Sequence, residues 1–496
     1  MRFLLLKKFP LVPSIIAGSV VLSGCETTAI RYDGQDDIRF EEKQLRSGAA
    51  PLTVQGPLSL AQVERRALQH NSEYAQAQTQ LINAVNKAGK RGKDIMPTLF
   101  ASSYGNWRNN VGAGTAINVE SERDESSESF FTAQDQAVAT SDFTASWDLL
   151  EVGLAGYKAN RRTIQSFNQA EQNQYLCNKL VVDVNNAYWR AVAFEEAERK
   201  SKWLQSRVFY ALDVSQKRAE ENPNTKYIEL LFQREIIDLN RWYQALFRSL
   251  VSAKPDLARL MNLPAGTEFE LESKRLPAGL GEFAKKDITE LVYTAYRSRP
   301  EIKQAQYRQD LTRIRNKETL WRHLPALRLF VSGNDTTNSF VLNSNFISAG
   351  ANLSWDLMRL TQIGETKRQG QIALDADKQQ AEIIASAIMA QVMIAKEQVK
   401  KLDFDLSLAW KGLSIQGQIA DDIRAGVEKG EKQETMLIKE ELLKELYFLR
   451  EQMTRAELHT AKARLEQSIG QVSACQASIS DTETPQTHIV KTAQVK

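Results

Sequence analysis

Few side chains in this 496-residue sequence are spaced for covalent, acid–base or metal chemistry. It contains no Cys-x-x-Cys pair, no His/Cys cluster, no nucleophile motif and no phosphate-binding loop. The histidines are few and scattered, at His70, His323, His459 and His488. The sequence therefore predicts no metal, no cofactor and no catalytic residues, and an enzyme is not expected.

One cysteine lies where a covalent modification is expected. Residues 1–24 begin with basic side chains, continue with an apolar run over 9–21 and close with Leu22-Ser23-Gly24 before Cys25. This order is typical of a secretory signal peptide, and the closing residues resemble the bacterial lipobox, whose cysteine thiol accepts diacylglycerol. We expect cleavage after residue 24, acylation of Cys25 (palmitate among the chains) and a lipid-anchored extended segment over 25–56. An ordinary signal peptide, or an anchor helix with a chance cysteine, is the alternative.

The charge balance excludes other classes of protein. Residues 1–24 hold three of the 64 Lys and Arg residues and none of the 61 Asp and Glu residues, so the remainder carries 61 of each. A mature chain without formal net charge has no global attraction for nucleic acid. Only the N-terminal apolar run approaches membrane-spanning length, which excludes a polytopic helical membrane protein.

The remainder of the sequence contains an internal repeat. Ser59-Leu60-Ala61-Gln62 and Asp287-Ile288-Thr289-Glu290 are both typical of capping boxes and lie 228 residues apart. Pro97 and Pro325 keep that offset, and each ends a predicted helical segment of nearly forty residues. The sequence thus predicts two related halves.

The boundaries of the halves follow from composition. We expect the first repeat over 57–262 and the second over 287–475, joined by a linker rich in Pro and Gly at 263–286. The polar tail at 476–496 is expected to be disordered. An acidic stretch at 120–128 makes the first loop of the first repeat 20 residues longer than its counterpart and is expected to be solvated.

Two strands of about ten residues are predicted in each half, because apolar and polar residues alternate there. The second strand of each half ends in Ser-Trp-Asp-Leu, at 146–149 and 354–357. Such strands suit a membrane barrel or one face of a soluble sheet, and the lipobox and the repeat favour the membrane.

A very long helix is predicted to follow in each half, over 157–221 and 365–429. Apolar residues recur with alternating gaps of four and three, as in Ile388, Val392, Ala395 and Val399, which indicates coiled-coil packing. Each long helix is predicted to turn back into a shorter returning helix, over about 224–262 and 433–474.

Helix, two strands and a long helical hairpin, all repeated, resembles the plan of the TolC-type outer-membrane efflux proteins over about 55–475. Cys25 makes it similar to the lipoprotein branch. The resemblance implies a mainly α fold with a small β portion: long coiled-coil hairpins forming an α-barrel, and four strands per protomer contributing to a shared trimeric β-barrel in the outer membrane.

The implied function is a passive exit duct of a tripartite efflux or type I secretion system. Its implied partners are two further copies of the chain, a periplasmic adaptor and an inner-membrane transporter. A lipid-anchored periplasmic coiled-coil scaffold without a pore is the alternative, but it leaves the paired strands without a purpose.

The resemblance also implies a constriction and docking sites at the periplasmic end. In the family a ring of aspartates follows the second hairpin turn, but Met436 and Lys439 occupy the matching positions here. The candidate constriction residues are Asp421, Asp422, Lys439 and Glu440. The candidate adaptor-docking turns are Asn222-Pro223-Asn224 and Gly430-Glu431-Lys432, although neither matches the family motif well.

A disulfide is a further hypothesis. Cys177 lies 44 residues before the turn at Glu221 and Cys475 lies 45 residues after Gly430. Since both turns belong to the same implied end, the two thiols are expected at nearly one height, where a bond would pin the C-terminal helix. Two buried free thiols are the alternative, because height does not fix azimuth.

Overall fold

The structure is a computed structural model that describes residues 56–90, 94–114, 130–264, 266–273 and 281–475, except for the side chains of Ser201 and Lys202. Several predicted features lie outside the described residues. They are the signal at 1–24, Cys25 and nearly all of its anchored segment, the acidic stretch at 120–128 and the tail at 476–496.

The first half follows the predicted order of elements. Two helices, two strands, one very long helix and two returning helices occur in sequence: α1 (Leu60–His70), α2 (Ser72–Gly89), β1 (Thr98–Trp107), β2 (Ala137–Asp148), α3 (Leu149–Glu221), α4 (Lys226–Leu250) and α5 (Ala253–Leu260).

The second half repeats that order, with a short helix before it and another after its strands: α6 (Gly281–Lys285), α7 (Ile288–Ser298), α8 (Pro300–Trp321), β3 (Ala326–Thr336), β4 (Asn345–Ser354), α9 (Met358–Thr361), α10 (Ile363–Glu428) and α11 (Glu434–Ile469).

The capping predictions hold fully in the first half only. Ser59 forms a reciprocal capping box with Gln62 at the start of α1. Asp287 caps α7 by accepting from the backbone N–H of Thr289 at 2.8 Å, but Glu290 accepts from Lys286 at 3.1 Å instead of closing the box. The second cap is therefore one-sided.

The long first segments are each divided into two helices, where one of nearly forty residues was predicted. Asn71 and Arg299 interrupt them, and both residues have extended backbone conformations. Asn71 then accepts from the N–H of Tyr74 at 3.0 Å and caps α2, while Pro300 occupies the first position of α8. Proline favours that position because its missing N–H needs no partner there.

The long helices begin at different points relative to the repeated Ser-Trp-Asp-Leu. Asp148 accepts from the N–H groups of Leu150 and Glu151 at 3.1 Å, so α3 begins at once after β2 and runs 73 residues, about 110 Å. In the second half Trp355 donates from Nε1 to the carbonyl of His323 at 3.1 Å. The chain then passes through α9 before α10, which runs 66 residues.

The four strands form one antiparallel sheet in the order β1-β2-β3-β4. The pairing register places the predicted apolar residues on one face. That face carries Leu99, Phe143, Trp147, Leu329, Val331 and Leu353. Thr144, Ser332, Asn334 and Ser348 lie on the other face, where Thr144 and Ser332 are 2.8 Å apart and Asn334 donates to Ser348 at 2.9 Å.

The predicted coiled-coil seam is confirmed along α10. Ile388, Val392, Ala395 and Val399 are buried, and they pack against α7 and α11 in two apolar clusters. Burial of such side chains contributes about 1.5–3 kcal/mol each. The seam therefore holds the second hairpin together along its length.

None of the described helices is both long enough and apolar enough to cross a membrane.

Candidate functional site

The two hairpin turns lie at the same end of their hairpins and touch each other. Arg218, near the end of α3, donates to Gln433 Oε1 at 2.8 Å and to Thr435 Oγ1 at 3.3 Å. Gln433 and Thr435 lie at the start of α11. This contact joins the first hairpin to the second beside their turns, and we call the region the turn end.

Each turn has its own local device. In the first, Asn222 Oδ1 accepts from the N–H of Asn224 at 3.1 Å, beside Pro223. In the second, Gly430 has φ +73°, and the N–H of Glu431 donates to the carbonyl of Gly426 at 2.9 Å. A left-handed residue just after a helix is the common way to satisfy its last carbonyls, and glycine adopts that conformation without strain.

A second contact between the hairpins centres on Arg207 of α3. Its guanidinium donates to Glu434 at 3.0 Å and to Glu441 at 3.1 Å, both on α11. Tyr210 donates its hydroxyl proton to the other oxygen of Glu434 at 3.1 Å. The Arg207 side chain is 26% exposed and that of Glu441 is 11% exposed, so these ion pairs are only partly screened by water.

The predicted carboxylates Asp421 and Asp422 lie on the last turns of α10. Their side chains are 62% and 76% exposed. Asp421 pairs with Arg424 at 3.0 Å and Asp422 with Lys432 at 2.6 Å. The hydrogen bond from Lys432 lowers the pKa of Asp422, so this carboxylate stays charged under physiological conditions.

Glu440 and Lys439 have partners within the protomer. Glu440 is only 9% exposed and accepts from Gln416 Nε2 at 2.7 Å, whereas Lys439 pairs with Glu235 of α4 at 3.1 Å. Their charges are thus committed to helix packing in this conformation. Of the four predicted constriction charges, those of Asp421 and Asp422 are the accessible ones.

Cys177 and Cys475 are joined by a disulfide, with their Cα atoms 6.0 Å apart. Cys177 lies within α3 and Cys475 lies just beyond α11, so the bond ties the end of the chain to the first long helix. Both residues are at most 1% exposed.

Buried acidic side chains near the start of α1 were not singled out from the sequence. Asn185 of α3 donates to Glu64 Oε1 at 2.7 Å. Burial raises the pKa of Glu466 on α11 to about 7, with the nearby charge of Glu64 as the second cause. Burial also raises the pKa of Glu64 itself. Each residue looks like an ordinary helical glutamate in the sequence, so no local signal identifies the pair.

Arg207, Tyr210 and Arg218 were also missed, although a signal was available. Arg207 lies 14 residues before Glu221 and Glu441 lies 11 residues after Gly430. The height argument applied to the cysteines would have brought these two charges close together. Across the described part of the chain, no group of three His, Cys, Asp or Glu side chains is arranged to hold a metal ion.

This fold, with a four-stranded sheet and long helical hairpins, is that of solved outer-membrane channels. The outer-membrane channel OprN matches with a TM-score of 0.60 and 15% identity, over 84% of this chain and 90% of that chain. The open state of the Neisseria gonorrhoeae MtrE outer-membrane channel matches with a TM-score of 0.57 and 18% identity, over 83% and 88% of the two chains.

The Campylobacter jejuni CmeC outer-membrane channel matches with a TM-score of 0.57 and 12% identity, over 89% of this chain and 95% of that chain. The sequence matches no protein-family model and no curated protein. At these identities the likeness establishes a shared fold, which supports the predicted TolC-type architecture.

Proposed function

We propose that the chain is one protomer of a trimeric, lipid-anchored exit duct in the outer membrane. The sheet would form one third of a shared barrel, and the long hairpins would continue the duct into the periplasm. The fold shared with solved outer-membrane channels supports this proposal.

The observation that carries the proposal is the sheet, which has one apolar and one polar face and two open edges. Within the chain β1 pairs only with β2, and β4 pairs only with β3. Open edges leave backbone groups unsatisfied, which lipid does not tolerate. Membrane barrels contain about eight strands or more, so a four-stranded protomer needs further copies to close one.

The turn end would be the periplasmic mouth. Three copies of Asp421 and Asp422 around one axis would form an acidic ring, and the exposed turns at Asn222-Pro223-Asn224 and Gly430-Glu431-Lys432 would meet a periplasmic adaptor linked to an inner-membrane transporter. Passage would be passive, because the duct itself supplies no energy source.

Arg207 supplies a way to open the mouth. Its two ion pairs hold the hairpins together in this conformation. At about 1 kcal/mol each, their loss would shift the balance toward an open mouth by about 2 kcal/mol per protomer, or roughly 30-fold.

The test is single-channel conductance of the purified full-length protein in planar bilayers. We expect Arg207→Ala to conduct more often and at higher levels than the wild type. Arg199→Ala is the matched control, because Arg199 lies on the same helix but pairs only with Glu196 and is 68% exposed. A monomeric mass together with silence from all three proteins would contradict the duct and favour the scaffold.

A further inference from the structure

A groove crosses the polar face of the sheet at its helix-side end. Its volume is about 360 Å³, within the range of small-molecule sites. The residues that matter for its chemistry are Phe100, Thr144, Asp148, Arg328, Phe330 and Asn352. The sheet alternation places all of them on the face opposite to Phe143 and Trp147.

Arg328 gives the groove an available positive charge. The residue is exposed, and no ion pair within 4 Å joins it to another described side chain. Asp148 is its direct register partner on β2, but one carboxylate oxygen of Asp148 accepts both N–H groups at the start of α3. The nearest acid is thus engaged as a helix cap.

Two aromatic rings accompany this charge. The Phe330 ring lies against Gly350 of β4, where an added Cβ would approach its Cζ atom at 2.7 Å. The glycine therefore leaves room for the ring to lie across the neighbouring strand. Phe100 of β1 lines the same groove and is 49% exposed, so part of its ring surface is open to a ligand.

We propose that this groove binds small amphiphilic anions that carry an aromatic ring and a carboxylate or sulfonate group. The guanidinium of Arg328 is suited to such an anion, because its donors match two oxygens at once. Phe100 and Phe330 provide apolar contact for the ring, and Thr144 and Asn352 offer polar groups to its edge.

This proposal rests on the proposed function, in which the polar face lines the duct, and it adds a class of cargo. Three protomers would place three such grooves around the lower end of the barrel. Transported aromatic anions would then pause at Arg328 on their way out, whereas aromatic cations would not.

The test is equilibrium binding of 2-naphthalenesulfonate to the detergent-purified full-length protein, measured by the fluorescence of the probe. Binding in detergent requires no open channel, so the result is independent of conductance. We expect Arg328→Gln to weaken binding at least about tenfold, the loss typical of a charge-assisted hydrogen bond. Phe330→Leu should weaken it several-fold, because an aromatic contact is lost.

The matched control is Arg359→Gln, which removes the same charge from an arginine paired with Asp356 at 3.1 Å and should leave binding unchanged. 2-Naphthylmethylammonium, a cation of similar shape, should not compete. The proposal is overturned if the sulfonate does not bind, if Arg328→Gln binds it as the wild type does, or if inorganic sulfate competes equally well. Any of these results alongside steady conductance would leave the duct standing, whereas binding without conductance would contradict the duct alone.

Discussion

The Cys177–Cys475 disulfide makes a sharp prediction about the end of the chain. The bond spans 298 residues of sequence, and it connects α3 to the segment just beyond α11. Replacing both cysteines by serine removes the cross-link without leaving an unpaired thiol. We expect the double variant to fold but to lose stability where α11 ends.

The loop-closure estimate for 298 residues is about 5–6 kcal/mol. Measured disulfides in proteins more often contribute about 2–4 kcal/mol, because unfolded chains keep some structure. A large oligomer does not unfold in one step, so the loss should appear as local opening. A cost of about 2–4 kcal/mol would speed amide exchange at the end of α11 by roughly 30- to 1,000-fold.

Hydrogen exchange with mass spectrometry measures this directly. Peptides over the last turns of α11 should exchange faster in the double variant, and peptides at the turn end, around Arg218, should be unchanged. Alkylation of the unreduced wild type should modify neither Cys177 nor Cys475. Alkylation of both thiols in the wild type, or equal exchange in the two proteins, would refute the reasoning.

Two further predictions concern buried charge and backbone conformation. The pKa of Glu466 is raised to about 7 by burial, so the unfolded chain loses this proton near pH 4.5 while the folded chain keeps it until about pH 7. Stability should therefore fall as pH rises through that window, and Glu466→Gln should remove about 2 kcal/mol of that loss in thermal melts at pH 4.5 and 8; equal pH profiles would contradict this. Gly430 and Gly470 both have positive φ, but only at Gly470 would a Cβ meet backbone, at 2.9 Å from the carbonyl carbon of Ser298. Gly430→Ala should cost about 1 kcal/mol and Gly470→Ala several-fold more in urea midpoints, and equal costs would refute this account.

Much of the fold could be predicted because its signals are long and periodic. The alternation around Phe143 and Leu329 predicted both strands and their apolar face, and the seam from Ile388 to Val399 predicted the coiled-coil packing of α10. Breaks at single residues were harder to foresee. Asn71 interrupts a helical pattern only because its side chain caps the next helix, which local sequence signals too weakly.

The turn end was less predictable than the fold, because its contacts depend on the relative rotation of two hairpins. Sequence position gave the height of Glu440 along α11 but not its azimuth. The structure turns Glu440 toward Gln416 and leaves Asp421 exposed. Arg328 shows a similar gap, since its strand position was evident but its lack of a partner depends on how Asp148 caps α3.

The central claim is that the sheet lies in the outer membrane with one face in lipid and the other in water. Nitroxide labels at Phe143→Cys and Asp142→Cys, adjacent residues on opposite faces of β2, test it most directly in reconstituted vesicles. We predict that the Phe143 label is accessible to oxygen and shielded from a water-soluble nickel complex, with the reverse pattern for the Asp142 label. Equal access of the nickel complex to both labels would place the sheet in water and contradict the account.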